Sequence, residues 1–307
     1  MSTQALRRIV DPVLTNIARG YSNAEHVGLN LAPIVPVQKE GGKIPQFTKE
    51  SFKVYNTERA IRAKSNRINP DVHTSIDYVL AEHDLEYPLD YREIDEDIYN
   101  LRLHATQVVT DGISLRMEKM IADLVQDLAT YPSGNKVTLG TADKFTNTSS
   151  NPVTVFESAK EAVRGKIAKR PNFCILGAVA YNALKVHPAI LDKIKYTQNA
   201  VITIELLRQL LDFEKLLVGD AVFAADDGTF QDIWRDNVIL AYVQKENSEI
   251  PRNYYEPAFA YTLRKKNNPF VDTYTEGGKI EIIRNTDHFV AKIVGPDAGF
   301  LINDTNA

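Results

Sequence analysis

Apolar and polar positions change rhythm several times along this chain. Residues 1–36 are mostly polar and carry one short helical pattern over Gln4–Ala18. "NLAPIVPV" follows, where Pro33 and Pro36 favour extended backbone. The stretch "EGGKIPQFTKESFKVYNTERAIRAKSNR", Glu40 to Arg67, alternates like a strand at Phe47, Phe52, Val54 and Tyr55 but holds too few apolar residues to own a core. It predicts a two-stranded ribbon or a long loop, and an isolated ribbon is marginal in water unless it lies on something. "SIDYVLAEHDLEYPLDY" alternates again and predicts a strand ending near Pro88. From Ile94 to Thr130 apolar residues recur at three and four: Ile94, Ile98, Leu101, Ala105, Val108, then Met117, Ile121, Leu124 and Leu128. That is the pattern of an amphipathic helix. Taken as continuous it spans about 50 Å, at ~1.5 Å per residue, with Gly112 as a point of bending.

Residues 134–151 are polar and predict a loop or short hairpin. "NPVTVFESAKEAVRGKIAKR" predicts a helix with Pro152 in its first turn. Between Pro171 and Phe223 the reading is strand ("FCILG"), helix ("AVAYNALKVH", stopped before Pro188), short helix ("AILDKIK"), helix ("ITIELLRQLLD") and strand ("KLLVGDAVF"). This is a compact α+β module. "NVILAYVQKE" adds a strand, and "PAFAYTLRKK" and "FVDTYTEGGKIEIIRNTDHFVAKIVGPDAGFLI" read as further strands separated by turn residues. No repeat of 20–50 residues is visible.

Composition narrows the class. At 307 residues, 44% hydrophobic and 25% charged, the chain can bury a sizeable core in one large or two ordinary domains. A net charge of −4 gives no whole-chain case for gripping nucleic acid, so the informative charge is local. The single cysteine, Cys174, lies in an apolar run and reads as a buried core residue, not a disulfide partner. The first twenty residues hold no run apolar enough for a signal peptide, and no stretch approaches the ~20 apolar residues of a membrane span. The expectation is a protein assembled in the cytosol, with no membrane partner.

The search for chemistry returns little. There is no phosphate-binding GxxxxGK[ST], no GxGxxG, no GxSxG, no HExxH and no CxxC. Both "EGGK" stretches read as hairpin turns. The six histidines, His26, His73, His83, His104, His187 and His288, are scattered. Asp95, Glu96 and Asp97 have the oxygen chemistry of a hard-cation site, but a helix first turn accounts for them more simply. "DDG" at Asp226–Gly228 is a turn signal. No metal, cofactor or catalytic residue is expected.

The charge pattern says more. Lys43, Lys49, Lys53, Arg59, Arg62, Lys64 and Arg67 make the ribbon basic. The following segment is acidic: Glu82, Asp84, Glu86, Asp90, Glu93, Asp95, Glu96 and Asp97 stand against Arg92 alone. A ribbon that cannot fold by itself, beside a surface of opposite sign, points to exchange between subunits. Lys49, Lys53, Arg59 and Arg62 are the candidate contacts on the ribbon. Asp84, Glu86, Asp90 and Glu93 are the candidate partners on a neighbour. Such complementarity sets register and partner choice more than raw affinity.

Polar arm, charged loop, long helix, α+β module and closing strands, in that order, resemble the major capsid proteins of tailed bacteriophages, the Hong Kong 97-type fold. The resemblance rests on Lys39–Arg67, Ile94–Thr130, "FCILGAVAYNALKVHPAILDKIK", "ITIELLRQLLDFEKLLVGDAVF" and "HFVAKIVGPDAGFLI". It implies an α+β fold with an N-terminal arm at 1–36 and an extended loop at 37–70. A peripheral domain with its spine helix would take 71–170 and 251–307, and an axial domain 171–250. It further implies hexamers and pentamers of the chain forming an icosahedral shell around double-stranded DNA held without sequence specificity. A separate scaffolding protein, a portal and a possible decoration protein would be its partners. The chain departs from the type member in having only a short segment before "APIVPV" and no loop lysine that aligns as a crosslinking residue. Three other readings compete: an encapsulin-like compartment shell, a tail-tube or connector subunit, and a soluble α+β enzyme holding an anionic substrate on the basic ribbon.

Overall fold

The computed structural model describes residues 10–20, 25–46, 54–67, 75–96, 100–194, 202–244 and 257–306. Helix α1 (Pro12–Gly20) begins where Asp11 Oδ1 accepts from the Val13 and Leu14 N–H groups, at 2.8 and 3.1 Å. Of the expected Gln4–Ala18 helix, residues 4–9 lie outside the described ones, and among the described residues the helix starts at Pro12 and runs on to Gly20. A single turn, α2 (Gly28–Leu31), leads into strand β1 (Ile34–Val37), where the two prolines enforce extension as expected. Strands β2 (Gly41–Pro45) and β3 (Ser75–Val79) pair with each other. The first "EGGK" is thus strand, not turn: Gly42 packs under Tyr78, whose ring would stand 3.1 Å from any Cβ there.

Strand β4 (Ala81–Asp90) runs on through Pro88. Pro88 is tolerated because, among the described residues, β4 pairs on one side only, with a strand of the C-terminal region, and the Tyr91 N–H bond to the Lys279 carbonyl puts Pro88 at a position whose N–H would point away from that strand, so no ladder bond is lost. The single long helix expected over 94–130 is two. The Asp90 side chain and Glu93 form a capping box that starts α3 (Tyr91–Asp95), which closes at Glu96. Asn100 then caps α4 (Leu101–Gln126), accepting from the Leu103 N–H at 3.2 Å. Twenty-six residues span roughly 39 Å, at ~1.5 Å per residue. Gly112 lies inside α4 without ending it. Its missing Cβ admits the Leu85 side chain, which would otherwise stand 2.7 Å away.

The rest follows in chain order. β5 (Lys136–Thr138) comes from the polar stretch, and α5 (Pro152–Ile167) has Pro152 in its first turn. Then come β6 (Phe173–Gly177), α6 (Ala178–Val186), α7 (Pro188–Ile194), α8 (Ile204–Leu210) and β7 (Lys215–Gly219). "KLLVGDAVF" breaks at Asp220, and its second half, β8 (Val222–Ala224), pairs with β9 (Phe230–Asp232) in a separate hairpin. β10 (Val238–Ala241), β11 (Ala260–Lys265), β12 (Phe270–Glu276), β13 (Ile280–Ile293) and β14 (Gly299–Asn303) complete the chain. The second "EGGK" is a turn, with Gly277 and Gly278 at φ of 58° and 70°.

Two five-stranded sheets organise these elements. One contains β1, β11, β13 and β12, with β4 on the far side of β13. Helices α1 and α4 cover one face of it, burying Leu14, Ala18, Leu89, Ala105, Val271 and Ile283 together. The other runs β5-β14-β10-β6-β7, and parallel β6 and β7 are joined through α6, α7 and α8. Its apolar packing includes Phe156, Cys174, Leu176, Leu184, Leu207 and Leu240. The last strand, β14, joins this second sheet and brings β5 with it, so the sheet of the expected axial segment is completed from outside residues 171–250.

Candidate subunit interface

The basic ribbon has an ordered base and an ordered tip. At the base the ladder runs from Gly41 opposite Val79 to Pro45 opposite Ser75, and Lys43 Nζ lies 3.7 Å from Asp77. Ile44 and Tyr78 turn inward to pack with Val35, Val37 and Leu263, which fastens the ribbon to the first sheet. At the tip, every residue from 54 to 67 is exposed. Hydrogen bonds nonetheless shape it. Asn66 Nδ2 donates to the Asn56 and Glu58 carbonyls at 2.8 and 2.9 Å, and Arg59 Nη1 donates to the Ala63 carbonyl at 2.8 Å. The Ala63 N–H donates to the Ala60 carbonyl at 3.1 Å, closing a turn in which Arg62 takes the left-handed region at φ 66°. That conformation costs a non-glycine residue about 1 kcal/mol, so the tip has a specified shape. Ile61 sits at its corner, 93% exposed.

Of the expected ribbon contacts, Arg59 and Arg62 lie on this tip, and Lys49 and Lys53 lie outside the described residues. The acidic candidates have work within their own chain. Thr286 donates to Asp84 across the β4–β13 ladder. Glu86 stands opposite Arg284, 3.5 Å away, and accepts from the Tyr274 hydroxyl at 3.0 Å. Asp90 and Glu93 form the capping box of α3. All four are polar groups along the β4–α3 edge, and Asp84, Glu86 and Glu93 are exposed.

Residues that the periodicity did not mark hold the parts together. Glu118, on the buried face of α4, accepts from the Val27 and Gly28 N–H groups through Oε1 at 2.9 and 3.0 Å, and from Gly28 again through Oε2 at 2.8 Å. The Trp234 indole N–H donates to the same Oε1 at 2.8 Å. One carboxylate thus ties the segment before β1, the long helix and the chain just after β9. Burial raises its pKa and the three donors oppose that shift. The next residue, Lys119, stacks its ammonium over the Phe223 ring at 4.7 Å. Arg264 and the fully buried Asp287 form a second internal pair, with Nε 2.9 Å from Oδ1. Burial also pushes the Cys174 thiol upward, away from any reactive thiolate. A buried Glu on an amphipathic helix leaves no periodic signal, and the only hint in sequence is an acid where the stripe calls for an apolar residue.

A sheet backed by a long helix, a second α/β sheet completed by the C-terminal strand and a long loop leaving a two-stranded base define a capsid shell protein of the Hong Kong 97 type. The comparisons agree. The family model described as "Phage major capsid protein E" matches residues 30–276. The chain is 52% identical over 299 residues to the major capsid protein of Burkholderia phage BcepMu, covering 97% of each. Among solved structures it is similar to a phage-related protein from Bordetella bronchiseptica RB50, with a TM-score of 0.83, 34% identity and coverage of 97% and 98%. An encapsulin complex from Synechococcus elongatus PCC 7942 shares the fold at a TM-score of 0.52 and 11% identity, covering 98% and 97%. The chain belongs to the phage major capsid protein E family. It is a structural protein that self-assembles into the phage head and not an enzyme, and this reading fits the comparisons better than the compartment-shell and enzyme alternatives. No helix among the described residues is long and apolar enough to cross a membrane.

Proposed function

We propose that each subunit joins its neighbours within hexamers and pentamers through the extended loop at 37–70, with Lys49, Lys53, Arg59 and Arg62 meeting the adjacent copy. The observation that carries this reading is the tip at 54–67, which is fully exposed yet held in a defined shape by its own hydrogen bonds. A shape that is specified but buries nothing at home is suited to burial elsewhere. Asp84, Glu86, Asp90 and Glu93 keep a negative field along the β4–α3 edge while their hydrogen bonds stay within the chain. That field steers an approaching basic loop.

On this reading residues 171–250 surround the capsomer centre, and residues 71–170 and 251–307 form the periphery with α4 as spine. Assembly takes place in the host cytoplasm, with a separate scaffolding protein and a portal as partners and a decoration protein as a possible third. The double-stranded DNA inside is held without sequence specificity. A net charge of −4 suits a wall that encloses DNA without binding its phosphates tightly.

A single exposed ion pair contributes only ~0–1 kcal/mol, but the same contact repeats around every ring of a closed shell. The double variant Arg59→Glu, Arg62→Glu is expected to abolish shells, seen by negative-stain microscopy and sedimentation, while the circular dichroism of the subunit is unchanged. Normal shells from this variant would remove the loop from the assembly contact.

A further inference from the structure

We infer that the tip of one copy's loop seats on the outward face of the β8–β9 hairpin of a second copy, its three arginines and Lys64 meeting the hairpin's aspartates. The inference rests on the loop reading above and adds the receiving surface.

The hairpin has two faces set by strand alternation. Val222 stands opposite Asp232, Phe223 opposite Gln231 and Ala224 opposite Phe230. Directly opposed residues share a face, and so do residues two apart on one strand. Val222, Ala224 and Phe230 therefore lie together on one side, and Phe223 lies on the other. Phe223 turns inward against the large core and under Lys119. The other side faces solvent: Phe230 is 77% exposed and Val222 44%. A small two-stranded ribbon gains no stability from presenting a phenylalanine and a valine to water.

Charge identifies the occupant. Between Asp220 and Asp232 the chain carries Asp220, Asp226, Asp227 and Asp232 and no basic residue. The loop tip carries Arg59, Arg62, Lys64 and Arg67 against Glu58 alone, with Ile61 and Val54 as exposed apolar groups. Each surface is an apolar centre flanked by charge, and the hairpin's own charges are opposite in sign to the tip's, Lys119 lying on the hairpin's inner side against Phe223. Exposed apolar groups ringed by charge are the composition of an interface core with its polar rim. Both surfaces belong to the same chain, and they are different patches. Copies that join one patch to the other associate head to tail, which is the geometry that closes into rings. A second copy is therefore the partner this pair of surfaces fits. The hairpin is also fixed in place. Lys119 holds Phe223 of β8, and Glu118 holds Trp234 just beyond β9, so consecutive residues of α4 secure both of its ends.

The test uses the full chain assembled in cells that express the phage head proteins. Ile61 is replaced by the photo-crosslinking residue p-benzoylphenylalanine, in shells mixed from isotope-labelled and unlabelled subunits. Irradiation is expected to join it to residues 220–232 of a different copy. Crosslinks to other parts of a different copy would overturn the hairpin seat and leave the loop reading standing. Crosslinks confined to the same copy would overturn both. If the Ile61 variant forms no shells, the same residue at Phe230, one aromatic for another, asks the reciprocal question, and the expected partner is residues 54–67. In parallel, Phe230→Asp is expected to lower shell yield roughly tenfold or more, because a loss repeated around a ring compounds, with the melting temperature of the subunit unchanged. Wild-type shell yield from Phe230→Asp would overturn the proposal.

Discussion

Replacing Glu118 should unfasten the chain at the point where three segments meet, and the structure sets the size of the effect. Its carboxylate accepts from three buried donors: the Val27 N–H, the Gly28 N–H and the Trp234 indole. In Glu118→Ala all three lose their acceptor. An unsatisfied buried donor costs about 1–3 kcal/mol, which bounds the loss at roughly 3–9 kcal/mol. Part of this is returned, because the variant no longer buries a carboxylate, and burial of that charge is what raises the Glu118 pKa. The expected net loss is about 3–5 kcal/mol. Glu118→Gln keeps one acceptor oxygen but turns an NH₂ toward one of its former donors, for an expected loss of about 1–2 kcal/mol.

The pH dependence has a definite sign. A carboxyl whose folded-state pKa is raised binds its proton more tightly in the folded chain. Its contribution to stability is fully present below the unfolded value of 4.5 and is lost as pH rises through the folded value. The stability of the wild-type subunit relative to Glu118→Gln should therefore fall as pH rises above 4.5. The assay is urea unfolding of the unassembled subunit, followed by the emission of the chain's one tryptophan, Trp234, which touches the mutated group directly. An unfolding free energy within ~0.5 kcal/mol of wild type for Glu118→Ala would refute the reasoning, since that is the scatter of surface substitutions. So would a wild-type–Gln difference that grows with rising pH.

Two further outcomes follow from buried geometry. Arg264→Met strands the fully buried Asp287 carboxylate and should cost about 3–5 kcal/mol in the same unfolding assay, with a partial return when Asp287→Asn is added. Gly177→Ala would place a Cβ 2.0 Å from the Arg235 carbonyl oxygen, a backbone atom with no rotamer to yield. It should cost about 3 kcal/mol or more, read as loss of soluble protein or a lowered melting temperature.

Local pattern carried much of this fold, and its failures have physical causes. "FCILG" is β6 because a short apolar run bounded by helix signals fits a buried strand. α5 begins at Pro152 because proline suits a first turn. The two "EGGK" stretches separate the cases. At 276–279 the glycines supply the positive φ of a turn, whereas at 40–43 they are strand residues packed under Tyr78, and identical letters cannot report that difference. The long helix breaks because Asp90 and Asn100 each cap a separate start, the first hidden inside an acidic run and the second just beyond it. The buried stripe on α4 differs in part from the apolar period: Val108 is exposed and Val109 buried, because Thr106, Thr110, Glu118 and Gln126 share the buried face and blur that period. Which strands pair was not legible at all. β14 with β10 and β4 with β13 are long-range choices settled by packing. The basic character of the loop was plain, but the hairpin face was not, since "KLLVGDAVF" reads as one strand until Asp220 divides it.

The division at Asp220 also bears on how load would pass through a shell. A strand continued straight from β7 would keep Val222 and Phe223 within the second sheet. The break instead places a two-stranded flap against α4, with Phe223 beneath Lys119 and Trp234 bonded to Glu118. If a neighbour's loop seats on the outer side of that flap, any displacement of the neighbour acts directly on the long helix. Through Glu118 it acts equally on Val27 and Gly28, and so on the segment entering β1, from which the subunit's own loop departs two strands later. Reception of one neighbour's loop and presentation of the subunit's own would then be coupled through a single buried carboxylate. Glu118→Gln, which loosens that joint while keeping its volume, should therefore disturb assembly more than its modest cost in subunit stability would predict.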